Sequence, residues 1–285
     1  MSEIKKVAVL GAGTMGHGIA QIIAMAGCIV SIRDIEDRFL ENALARIKKS
    51  LEKLSAKGKL KETPDAVLSR IKPTTDLKQA VNDADLIIEA VPENLNIKKT
   101  VLTEASEYAP EECIIASNTS TISITQLAEF TKNPENFLGV HFFNPPVIMK
   151  LVEITKGFKT SDSTIKKVIS FIQTLGKEPV LVEKDSSGFI VNRILMGALN
   201  EAANMLWEGI GTVESIDKAV KLGLNWPMGP FELMDFIGLD VVLAIAEVLQ
   251  KEFGDKYTPS PVLKQMVRAG LLGRKSGKGF YDYTK

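Results

Sequence analysis

This chain carries only two histidines, and one of them, His141, stands between an apolar run and a pair of prolines. The run Phe137-Leu-Gly-Val140 reads as a short buried strand that ends at His141. Pro145 and Pro146 then force a turn, since neither has an amide donor for a sheet ladder. A second run, Met149 to Thr155, alternates in part and carries Glu153. Strand, proline turn and strand bring His141 and Glu153 within reach of each other although 12 residues separate them. An imidazole held by a carboxylate handles protons: the acid fixes the tautomer and stabilises the imidazolium that forms when the ring accepts one. Taken alone, the stretch is more simply read as a histidine capping a strand end beside an exposed glutamate.

A second stretch changes that balance. Val7-Ala-Val-Leu10 is an apolar run followed at once by Gly11-Ala12-Gly13-Thr14-Met15-Gly16. A helical pattern through Ile19, Ile22, Ile23 and Ala26 stops at Gly27, and Cys28-Ile-Val-Ser-Ile32 leads to Arg33 and Asp34. Strand, glycine loop, helix, strand and acid in this order make a dinucleotide-binding unit. Gly11 permits the tight turn, Gly13 lets a pyrophosphate approach the backbone, and Gly16 lets the helix pack on the strand. The helix N-terminus offers unpaired amides to the phosphates. Asp34, 23 residues after Gly11, stands where the ribose hydroxyls are bound. An acid there repels a 2′-phosphate and favours NAD, while Arg33 beside it keeps NADP possible. His17 reads as a helix-surface residue rather than a catalyst.

The elements that must position these residues follow from the same pattern. Asp85-Leu-Ile-Ile-Glu-Ala90 leads to Glu93 and then Lys98; Cys113-Ile-Ile-Ala116 leads to Asn118 and Ser120; Phe137–Val140 leads to His141. In an open, doubly wound sheet, ligands bind outside the carboxyl ends of the strands. The glycine loop, Asp34, Glu93, Asn118–Ser120 and His141 each follow an apolar strand directly, so all gather along one sheet edge. That makes His141 a candidate catalyst rather than a strand cap.

Residues 36–61 read as one amphipathic helix with Leu40, Leu44, Ile47, Leu51 and Leu54 on its apolar stripe. Lys49, Lys53 and Lys57 point away from that stripe, either as a solvated face or as a landing site for a polyanionic substrate tail. A further helix near 162–175 and a strand at 179–182 precede Asp185-Ser-Ser-Gly188, which reads as a linker. Beyond it the pattern is helical throughout, and the Gly273–Tyr281 stretch reads as a packing loop. The apolar excess of this part suits subunit contact as well as a core, so a homodimer through it is expected.

With 285 residues, two domains are expected. Lys plus Arg and Asp plus Glu number 35 each, so no global charge draws the chain to nucleic acid or an anionic membrane. Cys28 and Cys113 lie beside apolar runs without metal-ligand spacing and read as buried hydrophobes of a reducing compartment; no metal site is expected. No apolar stretch approaches membrane-spanning length, and a strand starting near residue 5 leaves no room for a signal peptide, so a cytoplasmic protein is expected.

Gly11–Gly16, Ser117-Asn-Thr-Ser120, His141-Phe-Phe-Asn-Pro145, Lys150-Leu-Val-Glu153, Gly188-Phe-Ile-Val-Asn-Arg193, Pro227-Met-Gly-Pro-Phe-Glu232 and the Gly273–Tyr281 stretch together resemble the 3-hydroxyacyl-CoA dehydrogenases, most of all the short bacterial 3-hydroxybutyryl-CoA dehydrogenases. The resemblance covers essentially the whole chain. It implies an α/β fold, with a Rossmann-like doubly wound sheet domain over residues 1–184 and an all-helical substrate and dimerisation domain over 185–285. It implies hydride exchange between a 3-hydroxyacyl-CoA and a nicotinamide cofactor, with His141 as general acid/base oriented by Glu153. Ser120 and Asn192 would hydrogen-bond the reacting oxygen or His141. Asp34, Glu93, Lys98, Asn118, Ser120 and Asn144 would line the cofactor together with the glycine loop. Lys49, Ser50, Lys53 and Lys57 fall in the region of the family that meets coenzyme A. A dehydrogenase of a free 3-hydroxy acid and a non-enzymatic NAD-binding protein are the rival classes; assays on the free acid against its CoA ester, and NADH binding without turnover, would reveal them.

Overall fold

The computed structural model describes residues 4–284. The chain divides into two units, Met1–Ser186 and Ser187–Lys285. In the first, β1 (Lys6–Leu10), α1 (Gly16–Met25), β2 (Ile29–Arg33), α2 (Asp37–Ala56), α3 (Pro64–Leu68), β3 (Ile71–Thr74) and α4 (Leu77–Val81) come first. Then come β4 (Leu86–Glu89), α5 (Leu95–Tyr108), β5 (Ile114–Ser117), α6 (Ile124–Ala128), β6 (Phe137–Phe142), β7 (Leu151–Thr155), α7 (Asp162–Thr174) and β8 (Glu178–Val182).

These strands form one sheet in the order β3-β2-β1-β4-β5-β6-β7-β8. Neighbours are parallel except for β6 and β7, which run antiparallel. Strands β4, β5 and β6 are buried at every position, because crossover helices cover both faces of a parallel sheet; that is why they read as unbroken apolar runs. The strand order reverses between β1 and β4, which opens the crevice at their carboxyl ends.

The sequence pattern does not anticipate β3. It is an edge strand in which only Ile71 is buried, so it carries no apolar run. The helix expected over 36–61 is also shorter. It stops at Ala56, Gly58 turns the chain with φ +64°, and Thr63 then caps α3 by accepting from Ala66 N–H. Leu40, Ala43, Ile47 and Leu51 are the residues α2 buries, at the three- and four-residue spacing of one helix face.

The second unit is helical: α8 (Val191–Trp207), α9 (Val213–Leu224), α10 (Pro230–Ile237), α11 (Leu239–Phe253) and α12 (Pro261–Arg268). It closes on its own core, around Met196, Leu199, Phe231, Met234, Leu239 and Leu263. Two buried aspartates tie it together. Asp217 accepts from Phe231 N–H (2.8 Å) and Glu232 N–H (3.0 Å), capping α10, and from the Tyr281 hydroxyl (2.9 Å). Asp235 accepts from Phe280 N–H and Tyr281 N–H (2.9 Å each) and from the Tyr283 hydroxyl (3.1 Å). The Gly273–Tyr281 packing loop is therefore bound through a carboxylate. Its glycines follow: a Cβ on Gly279 would lie 2.0 Å from Asp235 Oδ1, and one on Gly273 would lie 2.4 Å from the Asp235 carbonyl. Among the described residues no helix is long and apolar enough to cross a membrane.

Candidate active site and cofactor cleft

The cleft begins at the end of β1. Gly11 has φ +105°, and a Cβ there would lie 2.6 Å from the Ala90 carbonyl, so the turn after β1 passes hard against the end of β4. A Cβ on Gly16 would fall 1.7 Å from the Gly11 carbonyl, so helix and loop touch through backbone alone. At Gly13 a Cβ meets nothing within 4 Å, which leaves the middle of the loop open to an approaching group. The first bonds around the α1 start run from His17 N–H to Gly13 O (3.3 Å) and from Ile19 N–H to Met15 O (3.0 Å). The first amides of a helix have no intrahelical acceptor, which suits a pyrophosphate. Asp34, just past β2, accepts from Ala12 N–H (2.7 Å) and Ile35 N–H (2.7 Å), which pins the acid to the loop. A carboxylate has about four acceptor positions, so both oxygens retain capacity for ribose hydroxyls. Arg33 Nε donates to the Thr75 carbonyl (3.2 Å). Loop, helix start and acid thus fit a dinucleotide.

The far side of the edge holds the proton-handling pair. His141 on β6 and Glu153 on β7 are direct partners across the antiparallel ladder. Imidazole Nδ1 lies 2.8 Å from the Glu153 carboxylate, with His141 7% exposed and Glu153 fully buried. The Phe143 ring packs on the imidazole at a centroid distance of 4.5 Å. The turn that follows contains Asn144, exposed, and a cis Asn144–Pro145 bond. It seats on α1, where a Cβ on Gly18 would meet Pro146 at 3.0 Å. Buried Lys177 holds it from below, donating to the carbonyls of Pro146 and Met149 (the latter at 2.8 Å). Burial lowers the Lys177 pKa, because taking the ammonium out of water penalises its charged form.

Between these two ends stands a network that the sequence pattern only half indicates. Glu89, the last residue of β4, is fully buried. Its carboxylate accepts from Lys98 Nζ (2.7 Å), Val91 N–H (2.8 Å) and the Ser117 hydroxyl (2.6 Å). Lys98 reaches back because Asn94 caps α5, accepting from Asn96 N–H and Ile97 N–H and starting the helix one turn before it. Lys98 is 1% exposed and pairs also with Glu93 (3.1 Å), whose side chain stays 39% exposed. Glu93 in turn accepts from the hydroxyls of Thr119 and Thr121 and from the amides of Ser120 (3.2 Å) and Thr121 (3.3 Å). Burial raises the Glu93 pKa, but Lys98 and the two threonine hydroxyls outweigh it and hold the carboxyl below its usual range. Asn118 accepts from Phe142 N–H (2.9 Å), lacing the end of β5 to the strand of His141.

The structure therefore places the glycine loop, Asp34, Glu93, Asn118, Ser120, His141 and Asn144 at strand ends along one edge. Lys98 is turned into the protein beneath it. Lys49, Lys53 and Lys57 are exposed on and just after α2, with Ser50 half-buried. Asn192 belongs to the second unit, on the first turn of α8. Sequence reasoning passes over Glu89, Ser117, Thr119, Thr121, Lys177 and Gly18. A signal existed for Glu89, a charged residue closing an otherwise apolar strand, and for Ser117 and Thr119, which stand inside the Ser117–Ser120 motif without being given a role.

The model for "3-hydroxyacyl-CoA dehydrogenase, NAD binding domain" matches residues 6–186, and that for the family's C-terminal domain matches residues 188–283. The chain belongs to the 3-hydroxyacyl-CoA dehydrogenase family. It is 50% identical over 279 residues to a probable 3-hydroxybutyryl-CoA dehydrogenase of Deinococcus radiodurans, covering 98% of this chain and 100% of that one. It is 48% identical over 282 residues to a 3-hydroxybutyryl-CoA dehydrogenase of Clostridioides difficile, covering 98% and 100%. Among solved structures, that of (S)-3-hydroxybutyryl-CoA dehydrogenase from Ralstonia eutropha matches with a TM-score of 0.95 at 46% identity, over 99% of this chain and 100% of that one. Membership in this family makes the cleft an NAD site and the protein an oxidoreductase.

Proposed function

We propose that this protein interconverts an (S)-3-hydroxyacyl-CoA, in the first place 3-hydroxybutyryl-CoA, and the corresponding 3-oxoacyl-CoA. The observation that carries this reading is the buried His141–Glu153 pair at 2.8 Å, on the same strand edge as the dinucleotide loop. When bound, the nicotinamide accepts or donates the C3 hydrogen as hydride, which no side chain can do. The chain's own residues handle everything else. Glu153 holds Nδ1, so proton exchange with the C3 hydroxyl falls to Nε2 of His141. In oxidation the imidazole takes that proton as the carbonyl forms, and Glu153 stabilises the resulting imidazolium; in reduction the same proton returns to the oxygen. Ser120 and Asn192 donate to the substrate oxygen and stabilise the charge that builds on it. Asp34 selects NAD. Lys49, Ser50, Lys53 and Lys57 receive the phosphates of coenzyme A.

The exposed Ile194, Trp207, Ile210, Leu222 and Leu224 of the helical unit support a homodimer formed through it, and light scattering at assay concentration tests that. A cytoplasmic location accords with Cys28 and Cys113 not being joined in a disulfide.

Initial rates with acetoacetyl-CoA and longer 3-oxoacyl-CoAs, each with NADH and NADPH, test the reading. Fast NADH oxidation by acetoacetyl-CoA supports it, and no turnover of any acyl-CoA refutes it. His141→Ala should lower turnover by about 10²-fold or more while NADH still binds. Near-wild-type turnover in that variant would remove His141 from the chemistry.

A further inference from the structure

The strand order fixes what lies between the two ends of the cleft. The glycine loop follows β1 and the proton-handling histidine is the last residue but one of β6, with β4 and β5 between them. Asp34, which receives the adenine-side ribose, follows β2 on the opposite flank of β1. A dinucleotide whose pyrophosphate meets the loop and whose reacting ring meets His141 must therefore lay its nicotinamide half over the ends of β4 and β5. Those ends are where Glu89, Lys98 and Glu93 meet.

Two carboxylates there share one ammonium. Glu89 and Lys98 are sealed from solvent, while Glu93 keeps part of its side chain open to it. The other groups that bind the cluster, namely Ser117, Thr119, Thr121 and the amides of Val91 and Ser120, are neutral. The cluster thus carries one net negative charge. Geometry alone does not call for it: one carboxylate could anchor the Thr119–Thr121 turn, and Lys98 paired with that single acid would be neutral. The nicotinamide ring is cationic when oxidised and neutral when reduced. A fixed negative charge beneath it favours the oxidised form, and a partly buried site screens that effect less than water does.

We propose that Glu89, acting through Lys98 and Glu93, holds one net negative charge under the nicotinamide end of the cleft and so sets the relative affinity for NAD+ over NADH. Glu89 is in this sense a positioning residue for charge, remote from the substrate. The inference rests on the NAD-dependent reading of the cleft but not on the identity of the acyl substrate.

Equilibrium binding of NAD+ and of NADH to the full chain, without acyl-CoA, reads the effect directly. Glu89→Gln removes one negative charge and should raise Kd(NAD+)/Kd(NADH) on the order of tenfold, the size expected for one unit charge across a partly hydrated cleft. Glu93→Gln should shift the ratio in the same direction. The double variant Glu89→Gln/Lys98→Met removes one charge of each sign, keeps the net charge, and should return the ratio to within about threefold of wild type. Glu93→Gln decides the matter if Glu89→Gln does not fold. A ratio unchanged in the folded single variants overturns the proposal, as does a double variant shifted as far as Glu89→Gln, since that effect would be structural rather than electrostatic. Failure of the dehydrogenase reading looks different: wild type would bind both nucleotides and turn over no acyl-CoA.

Discussion

His141 and Glu153 each occupy the buried face of a strand, and their cross-strand register lets a short side chain and a longer one meet without a loop having to order them. A brace built into a ladder costs little further entropy, because the strands are ordered by their own hydrogen bonds. If Glu153 orients and stabilises the ring, Glu153→Gln should cut kcat by about tenfold with KM little changed, a smaller loss than removal of the base. A loss confined to KM would show that the acid does not act through the imidazole. Glu93 makes a different prediction. Its folded-state pKa is depressed, so it stabilises the fold above the unfolded carboxylate value of about 4.3, and that stability is lost as pH falls through the folded value. Glu93→Gln should therefore unfold at lower temperature than wild type at neutral pH. The two midpoints should draw together as pH falls below the unfolded value and through the lower folded one; a constant gap across that range would show that the ionised carboxylate is not what stabilises the turn. At the base of the sheet, burial pushes the Cys113 thiol up to about 12, so it should resist alkylation at pH 8.

At the scale of elements, short contacts join segments distant in sequence. The turn after β6 rests on α1 at Gly18 and hangs from Lys177 just before β8, so one turn touches both the cofactor helix and the far strand. Asp185, expected to be linker, instead accepts from Ser123 Oγ (2.6 Å), Ile124 N–H (3.1 Å) and Thr125 N–H (2.8 Å), capping α6 directly after the Ser120 turn. Helix α2 shows the opposite economy: its apolar face is used for packing, and its lysines are left to solvent. Lys49→Ala/Lys53→Ala should raise KM for CoA thioesters several-fold, each lost phosphate contact being worth about 1 kcal/mol or less at an exposed site. Rates with truncated analogues lacking the nucleotide should be little changed. Equal losses for both substrate types would mean that the row only solvates the helix.

For the molecule as a whole, buried carboxylates tie segments distant in sequence beside the apolar cores, as Asp217 and Asp235 do in the helical unit. Both Asp235 oxygens face donors, Oδ1 toward Phe280 N–H and Oδ2 toward Tyr281 N–H and the Tyr283 hydroxyl. An asparagine must point its NH2 at one of them. Asp235→Asn should destabilise the helical unit by about 2 kcal/mol, read by chemical denaturation, and release the Gly273–Tyr281 loop to proteolysis. An unchanged unfolding midpoint would mean that the loop is held by its aromatic packing alone. The two-part α/β and helical organisation, the dinucleotide loop and the candidate base were legible in the sequence, because each is written locally: an apolar run for a strand covered on both faces, glycines where backbones touch, a lone histidine at a strand end. Strand β3 was not, since a four-residue edge strand need bury only one side chain. Nor were Glu89 and Lys98 as a buried pair, the role of Asp185, or Asp217 and Asp235 as anchors. In one dimension a charged residue looks the same whether it faces water or a partner, and burial with its compensating hydrogen bonds exists only once distant segments have met.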